Sequence, residues 1–173
     1  MRAKKFFRQI AGFIVVLPTV AKVYVLAPFI GKERAMAICG PGVTAMAKWS
    51  LRFWVPKIED AAEFDSFAPM MKARFRLWKP FFDLSVVQED RDTFKVNVRN
   101  CPFCEAFSKL GVSQMGPYLC QGDWEMAKEN SDKWEFQRKH QIGTGDSFCD
   151  HTYLRRQSTL IQCKQNQETF GLC

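Results

Sequence analysis

Thiols, carboxylates and an arginine gather in the C-terminal half of this 173-residue chain, at spacings that let them act together. Cys101-Pro102-Phe103-Cys104 follows a valine-rich segment and opens a predicted helix, and a helix N-terminus favours thiolate over thiol. Cys120 and Asp123 stand three residues apart on a second predicted helix, so both side chains leave one face near its start. Arg138 and His140 alternate in phase with Trp134, Phe136 and Ile142, which places polar groups on a face expected to be buried. A buried arginine requires an anion, either a structural carboxylate or the carboxylate of a substrate. Gly145-Asp146 and Cys149-Asp150-His151 bring acidic, thiol and imidazole groups to a second hairpin. A thiolate, proton carriers and a cation are the components of nucleophilic catalysis.

The same thiols allow other readings. Cys101, Cys104, Cys120 and Cys149 could supply four thiolates, or three with His151, to zinc or an iron–sulfur cluster, although the spacing is irregular and no second CxxC follows. Cys101-Pro102-Phe103-Cys104 looks locally like the CPYC box of glutaredoxins, but no proline follows Pro117 to form that fold's later cis-proline segment. Free cysteine also serves as an ordinary buried packing residue. Seven cysteines at irregular spacing make a poor disulfide framework, so reduced thiols facing the cytoplasm are expected.

These residues need elements to position them. From residue 82 the apolar period changes from about 3.6 to 2. Strands are expected over 84–89 and 93–99 around an Asp90-Arg91-Asp92 turn, and a helix from Pro102 to a Gly111 cap. A second helix follows over about 117–129, then a hairpin of 134–142 with 148–155. The order predicts an α+β fold: N-terminal helices, then a small antiparallel sheet of two hairpins enclosing two helices.

The N-terminal half differs in character. Residues 1–80 carry a net +9 and residues 81–173 a net −2, so the overall +7 describes neither part. Arg2, Lys4, Lys5 and Arg8 precede an apolar run over 10–30 interrupted only by Lys22. Pro28 directly follows the one small-residue cleavage motif, so the segment is expected to be retained. Lys22 and Pro18 disfavour a span and fit a helix lying in the interface, with lysines reaching lipid phosphates. A second helix is expected over 33–55 with a break at Cys39-Gly40-Pro41-Gly42, and a third over 61–78. Met46, Trp49, Phe53 and Trp54 form an apolar stripe that suits either a core or a headgroup belt. This divides the chain into a hydrophobic membrane-associating segment (1–31), a basic helical region (32–80), a thiol-rich α+β domain (81–156) and a polar tail (157–173). With no basic cluster bearing base-reading side chains, nucleic acid is not an expected partner.

Between residues 97 and 153 the chain resembles the L-2-amino-thiazoline-4-carboxylic acid hydrolase family. The shared pattern is Cys101-Pro102-Phe103 with Glu105, Cys120-x-x-Asp123, Arg138, Gly145-Asp146 and Cys149-Asp150. The resemblance implies a small hydrolase-like domain that opens a sulfur-containing thiazoline ring, with no cofactor and no metal. Cys120 would attack the amidine-like C2 or polarise water, Asp123 or Glu105 would shuttle the proton, and Arg138 would hold the substrate carboxylate. Cys101, Cys149, Asp146, Asp150 and His151 are the further candidates to bind substrate. Lys139 and the apolar N-terminus depart from the pattern. They leave room for a non-catalytic accessory subunit of a membrane complex. The expected partners are an anionic membrane surface, subunits of such a complex, and a small-molecule substrate if the chain is an enzyme.

Overall fold

The computed structural model describes residues 2–156; the expected polar tail, 157–173, lies outside them. Helix α1 (Arg2–Ile30) and helix α2 (Lys32–Trp54) meet at Gly31, whose φ of 82° is the left-handed conformation glycine adopts without strain. Helix α3 (Phe64–Trp78) follows a single helical turn capped by Asp60, whose carboxylate accepts from the Ala62 and Glu63 N–H groups. Strands β1 (Leu84–Glu89) and β2 (Thr93–Val98) form the first hairpin, and the Asp90 side chain accepts from the N–H groups of Asp92 and Thr93 to close its turn. Helix α4 (Pro102–Lys109) starts on its proline, and Gly111 beyond its end takes φ 70°. Helix α5 (Gly116–Glu129) leads to β3 (Trp134–Gln137) and β4 (Cys149–Arg155). All pairings are antiparallel, in the order β1-β2-β4-β3, so the fold is α+β with the two hairpins joined through their inner strands.

Two expectations are corrected. The break expected at 39–42 is absent: α2 runs unbroken through Pro41, and Gly40 is buried because the Tyr118 ring occupies the space a β-carbon would need. The chain bends at Gly31 instead. The second hairpin is also shorter than its alternation suggests, because β3 ends at Gln137 and residues 138–148 form a loop. Buried Asp150 organises that loop, accepting from the N–H groups of Lys139 (3.0 Å) and His140 (2.6 Å). His140 therefore turns outward, its side chain 48% exposed, and does not share the buried face expected for it.

Two apolar cores hold the molecule, and each draws on both halves of the chain. One packs Trp54, Phe67, Met71 and Phe75 against the inner face of the sheet at Phe94, Val96, Trp134 and Tyr153. The other packs Val16, Val20 and Val23 of α1 and Met36 and Val43 of α2 against Phe107, Val112 and Met115. Each of these α1 valines, essentially inaccessible, contributes roughly 1.5–3 kcal/mol. Gly12 lets α1 lie directly on the Pro102 backbone. Sideways ties complete the attachment: Arg8 pairs with Asp83, Gln9 donates to Glu105 and the Tyr24 hydroxyl donates to the Leu110 carbonyl. The opposite face of α1, with Ile14, Leu17, Val25 and Phe29, remains exposed. Within Lys5–Ile30 an 18-residue window reaches a mean hydropathy of 2.1, so α1 is long and apolar enough to cross a membrane.

Candidate active site

Four of the cysteines converge where the start of α4, the start of α5, the 138–148 loop and the start of β4 meet. Cys104 neighbours both Cys101 and Cys120, and Cys149 neighbours Cys120 while its sulfur accepts from the Ile142 N–H at 3.2 Å. Cys120 is the centre of the group, and its pKa falls to about 3. The causes are hydrogen bonds from Cys104 and then Cys149, which outweigh burial, followed by the Arg138 charge and the Gly143 N–H. The flanking thiols move the other way. Cys104 is pushed up by its bonds to Cys101 and Cys120 and by burial, and Cys149 by its bond to Cys120 and by burial. One anion is thus held among protonated donors.

The Gly143 amide reaches the sulfur because residue 143 has no side chain. A β-carbon there would stand 2.6 Å from Cys120 Sγ. Gly143→Ala is expected to cost about 1–3 kcal/mol by overpacking, read as a lower midpoint in denaturant unfolding, with the thiolate's amide donor displaced.

Behind the sulfur lies a buried ion pair. Arg138, its side chain 2% exposed, donates to Asp123 Oδ2 at 2.5 Å, to the Cys120 carbonyl at 2.9 Å and to Gln141 Oε1 at 2.7 Å. Its guanidinium also stands 5.6 Å from the Trp124 ring centre and 5.7 Å from that of Phe136. These partners occupy the group, so it serves Asp123 and Cys120 and is not a free cation for a substrate carboxylate. His151 Nε2 approaches Asp123 Oδ2 to 3.9 Å, yet neither ring nitrogen has a hydrogen-bond partner among the described residues. Burial lowers the His151 pKa, leaving a neutral imidazole.

Cys120, Asp123, Cys149 and His151 form one wall of a cavity of about 150 Å³. Trp54, Trp78, Phe82 and Phe103 form the facing wall, as a chain of ring contacts: Trp54–Trp78 at 5.5 Å, Trp54–Phe82 at 5.4 Å and Phe82–Phe103 at 6.0 Å. Cys101 borders both this cavity and a wider cleft of about 700 Å³ on the far side of the thiol group. Glu105 and Asp146 line that cleft. Among the described residues, no group of three or more His, Cys, Asp or Glu side chains is arranged to hold a metal ion.

A family model described as L-2-amino-thiazoline-4-carboxylic acid hydrolase matches residues 7–153. The chain belongs to that family. The match extends far beyond the 97–153 segment that carries the sequence resemblance, so α1 and α2 lie within the region typical of these hydrolases. No curated protein gives a significant match. Among solved structures, an Fe(II) unliganded H-NOX protein variant from K. algicida aligns over 81% of this chain and 72% of its own length, at 10% identity and a TM-score of 0.32, which carries no argument.

In this hydrolase-family chain, Cys101, Cys120, Asp123, Arg138, Cys149 and His151 lie together around the small cavity. Glu105 does not join Asp123: it bonds Lys109 and Gln9 at the cleft edge, and the Lys109 hydrogen bond holds its carboxyl below the usual range. Asp146 and Asp150 shape the loop, Asp146 by accepting from the Gln141 N–H at 2.7 Å. Sequence reasoning missed Trp54 and Trp78 as cavity walls, and Gly143 and Gln141 as partners of the charged groups. Gly143-Thr144-Gly145 could have signalled a close backbone approach; the tryptophans read only as core or belt.

Proposed function

We propose that the chain is a thiol-dependent hydrolase that opens a 2-amino-thiazoline ring, with Cys120 as nucleophile. The observation that carries this reading is the Cys120 sulfur on the wall of a small cavity, with the His151 imidazole on the same wall and the Arg138 guanidinium held behind it by Asp123 and the Cys120 carbonyl. The Cys120 thiolate adds to C2 of the ring and the ring nitrogen takes a proton from solvent. The C2–S bond then breaks, its electron pair leaving on the ring sulfur, and a protonated isothiourea remains on Cys120. Water adds to that carbon, and His151 takes one water proton and passes it to the ring-sulfur thiolate. The Cys120 thiolate leaves as the second water proton returns to solvent, so the net reaction consumes one water and yields a carbamoylated aminothiol. Asp123, 3.9 Å from His151 Nε2, favours the charge that His151 gains when it takes the proton, and Arg138 keeps Asp123 and the thiolate paired. Incubating the full-length chain with 2-amino-thiazoline-4-carboxylate or its uncharged derivatives tests this, read as release of a free thiol. No thiol release from any of these rings would overturn it.

The chain works, in the same proposal, on a membrane surface and not across it. Crossing would strip α1 of Arg8–Asp83, Gln9–Glu105 and its valine core. Lying flat leaves these intact and sinks the exposed Ile14, Leu17, Val25 and Phe29 among lipids, with Lys22, Lys32 and Arg34 at the phosphates. Full-length protein is expected to float with phosphatidylcholine vesicles containing phosphatidylserine, and less with neutral ones. Absence from the vesicle fraction would contradict surface binding, and resistance to high-pH carbonate extraction would favour a span.

A further inference from the structure

We propose a second activity for the clustered thiols, the reduction of hydrogen peroxide by a small thiol. Cys120 takes the oxidant, Cys104 forms a disulfide with it, and Cys101 draws that disulfide out to the open cleft. The inference shares Cys120 with the ring-opening reading, but it rests on how the sulfurs are placed and not on thiazoline chemistry.

The sulfurs form a path from the interior to the surface. Cys120 is buried on the wall of the small cavity. At about 150 Å³ this cavity is well below the roughly 300–1,000 Å³ of pockets for drug-sized ligands, so a peroxide fits and a peptide-sized thiol does not. Cys104, also buried, neighbours Cys120 on one side and Cys101 on the other. Cys101 is half-buried and borders both the cavity and the cleft of about 700 Å³, whose size admits such a thiol. Cys101 stands at the N-cap of α4 and Cys104 in its first turn, the CxxC spacing at which a disulfide opens and closes. The Cys101 side chain makes no capping bond to α4. Cys149, the other neighbour of Cys120, offers no such exit. Of the two cavities it borders only the small one, and its sulfur is held by the Ile142 N–H at 3.2 Å.

Atoms and electrons balance at each step. The Cys120 thiolate, favoured by its thiol neighbours and Arg138, attacks one peroxide oxygen. The O–O bond breaks, giving a sulfenic acid on Cys120 and a hydroxide. Cys104 attacks the sulfenic sulfur, its proton leaves with the hydroxyl as water, and a Cys104–Cys120 disulfide forms. Cys101 then attacks the Cys104 sulfur and Cys120 departs as thiolate, while the Cys101 proton and the earlier hydroxide combine as a second water. A sulfur stabilised as its anion is the better leaving group, so the exchange runs outward. One peroxide and two thiols become two waters and a Cys101–Cys104 disulfide, with Cys120 restored. At the cleft, two molecules of a small thiol such as glutathione return both cysteines to thiols and leave as their own disulfide.

Reduced, full-length protein treated with a small excess of hydrogen peroxide, then alkylated under denaturing conditions and digested with trypsin, tests this without any thiazoline. Cys101 and Cys104 share the tryptic peptide 100–109, which should appear unalkylated and lighter by two hydrogens, with Cys120 alkylated in its own peptide. Glutathione should then restore both thiols. Cys101→Ser, a change at a half-buried position, should stop the relay one step earlier and cross-link peptide 100–109 to the one holding Cys120. Cys120→Ser should slow formation of the Cys101–Cys104 disulfide by about tenfold or more. An equally fast Cys101–Cys104 disulfide in Cys120→Ser, a Cys120–Cys149 disulfide, or Cys120 driven to sulfinic acid while Cys101 and Cys104 stay reduced would overturn the proposal. So would a failure of all four thiols to react. The ordered disulfides in a protein that opens no thiazoline would fault the hydrolase reading alone, and ring opening without them would fault the relay alone.

Discussion

Arg138→Leu is expected to destabilise the protein by about 3–5 kcal/mol, because it leaves Asp123 and the Cys120 thiolate in a buried site without their cation. For a chain of this length that corresponds to a fall of roughly 6–20 °C in thermal midpoint, measurable by circular dichroism. Leucine also forfeits the contacts with Trp124 and Phe136, and leaves the Cys120 carbonyl and Gln141 without a donor. Arg138→Lys should recover part of the loss, since an ammonium restores charge but cannot serve three acceptors in one plane. The pairing with Asp123 makes a double substitution informative. Asp123→Leu with Arg138→Leu should cost clearly less than the two single losses added together, because most of each single penalty is the stranded partner charge. Additive losses would mean the two residues do not act as a pair.

Cys120→Ser should lower ring opening by about 10³-fold or more while leaving the fold intact, because a hydroxyl in the same position does not ionise. The thiolate reading also fixes a pH dependence. A free cysteine, titrating near pH 8.5, loses alkylation rate about tenfold per pH unit below that point. Cys120, its pKa lowered by the donors around it and by Arg138, stays ionised well below that point, so its alkylation by iodoacetamide should fall far less steeply than this between about pH 8 and pH 5. Mass spectrometry of the modified peptides distinguishes it from Cys104 and Cys149, which their neighbours hold protonated and which should stay unmodified over that range. A steep acid limb at Cys120 would show that the surrounding donors do not favour the anion.

Some of this architecture is written locally and some is not. The Asp90 turn, the proline start and glycine end of α4, and the Cys120/Asp123 spacing each depend on neighbours within a few residues, so the sequence displays them directly. Arg138 was legible as a buried cation needing an anion, but its partner was not, because three acceptors converge on it from α5 and the loop. His140 was misplaced because the alternation of 134–142 carries no sign that Asp150, across the loop, captures the backbone at 139 and 140. The aromatic wall was least visible. Trp49, Phe53 and Trp54 look alike in a stripe, yet packing against Phe75, Trp78 and Phe82 buries Trp54 and leaves the other two exposed. Pro41 likewise reads as a break until Tyr118, 78 residues beyond Gly40, is seen to hold α2 in register.

The central claim is that Cys120 forms a covalent bond to the ring carbon, and acid-quenched intact-protein mass spectrometry tests it most directly. Full-length protein quenched during turnover of a 2-amino-thiazoline should gain the mass of the whole substrate, since ring opening expels nothing. Peptide mapping should place that mass on Cys120, and it should be absent from Cys120→Ser. Turnover without any adduct, or an adduct on Cys101 or Cys149 that persists in Cys120→Ser, would contradict the account.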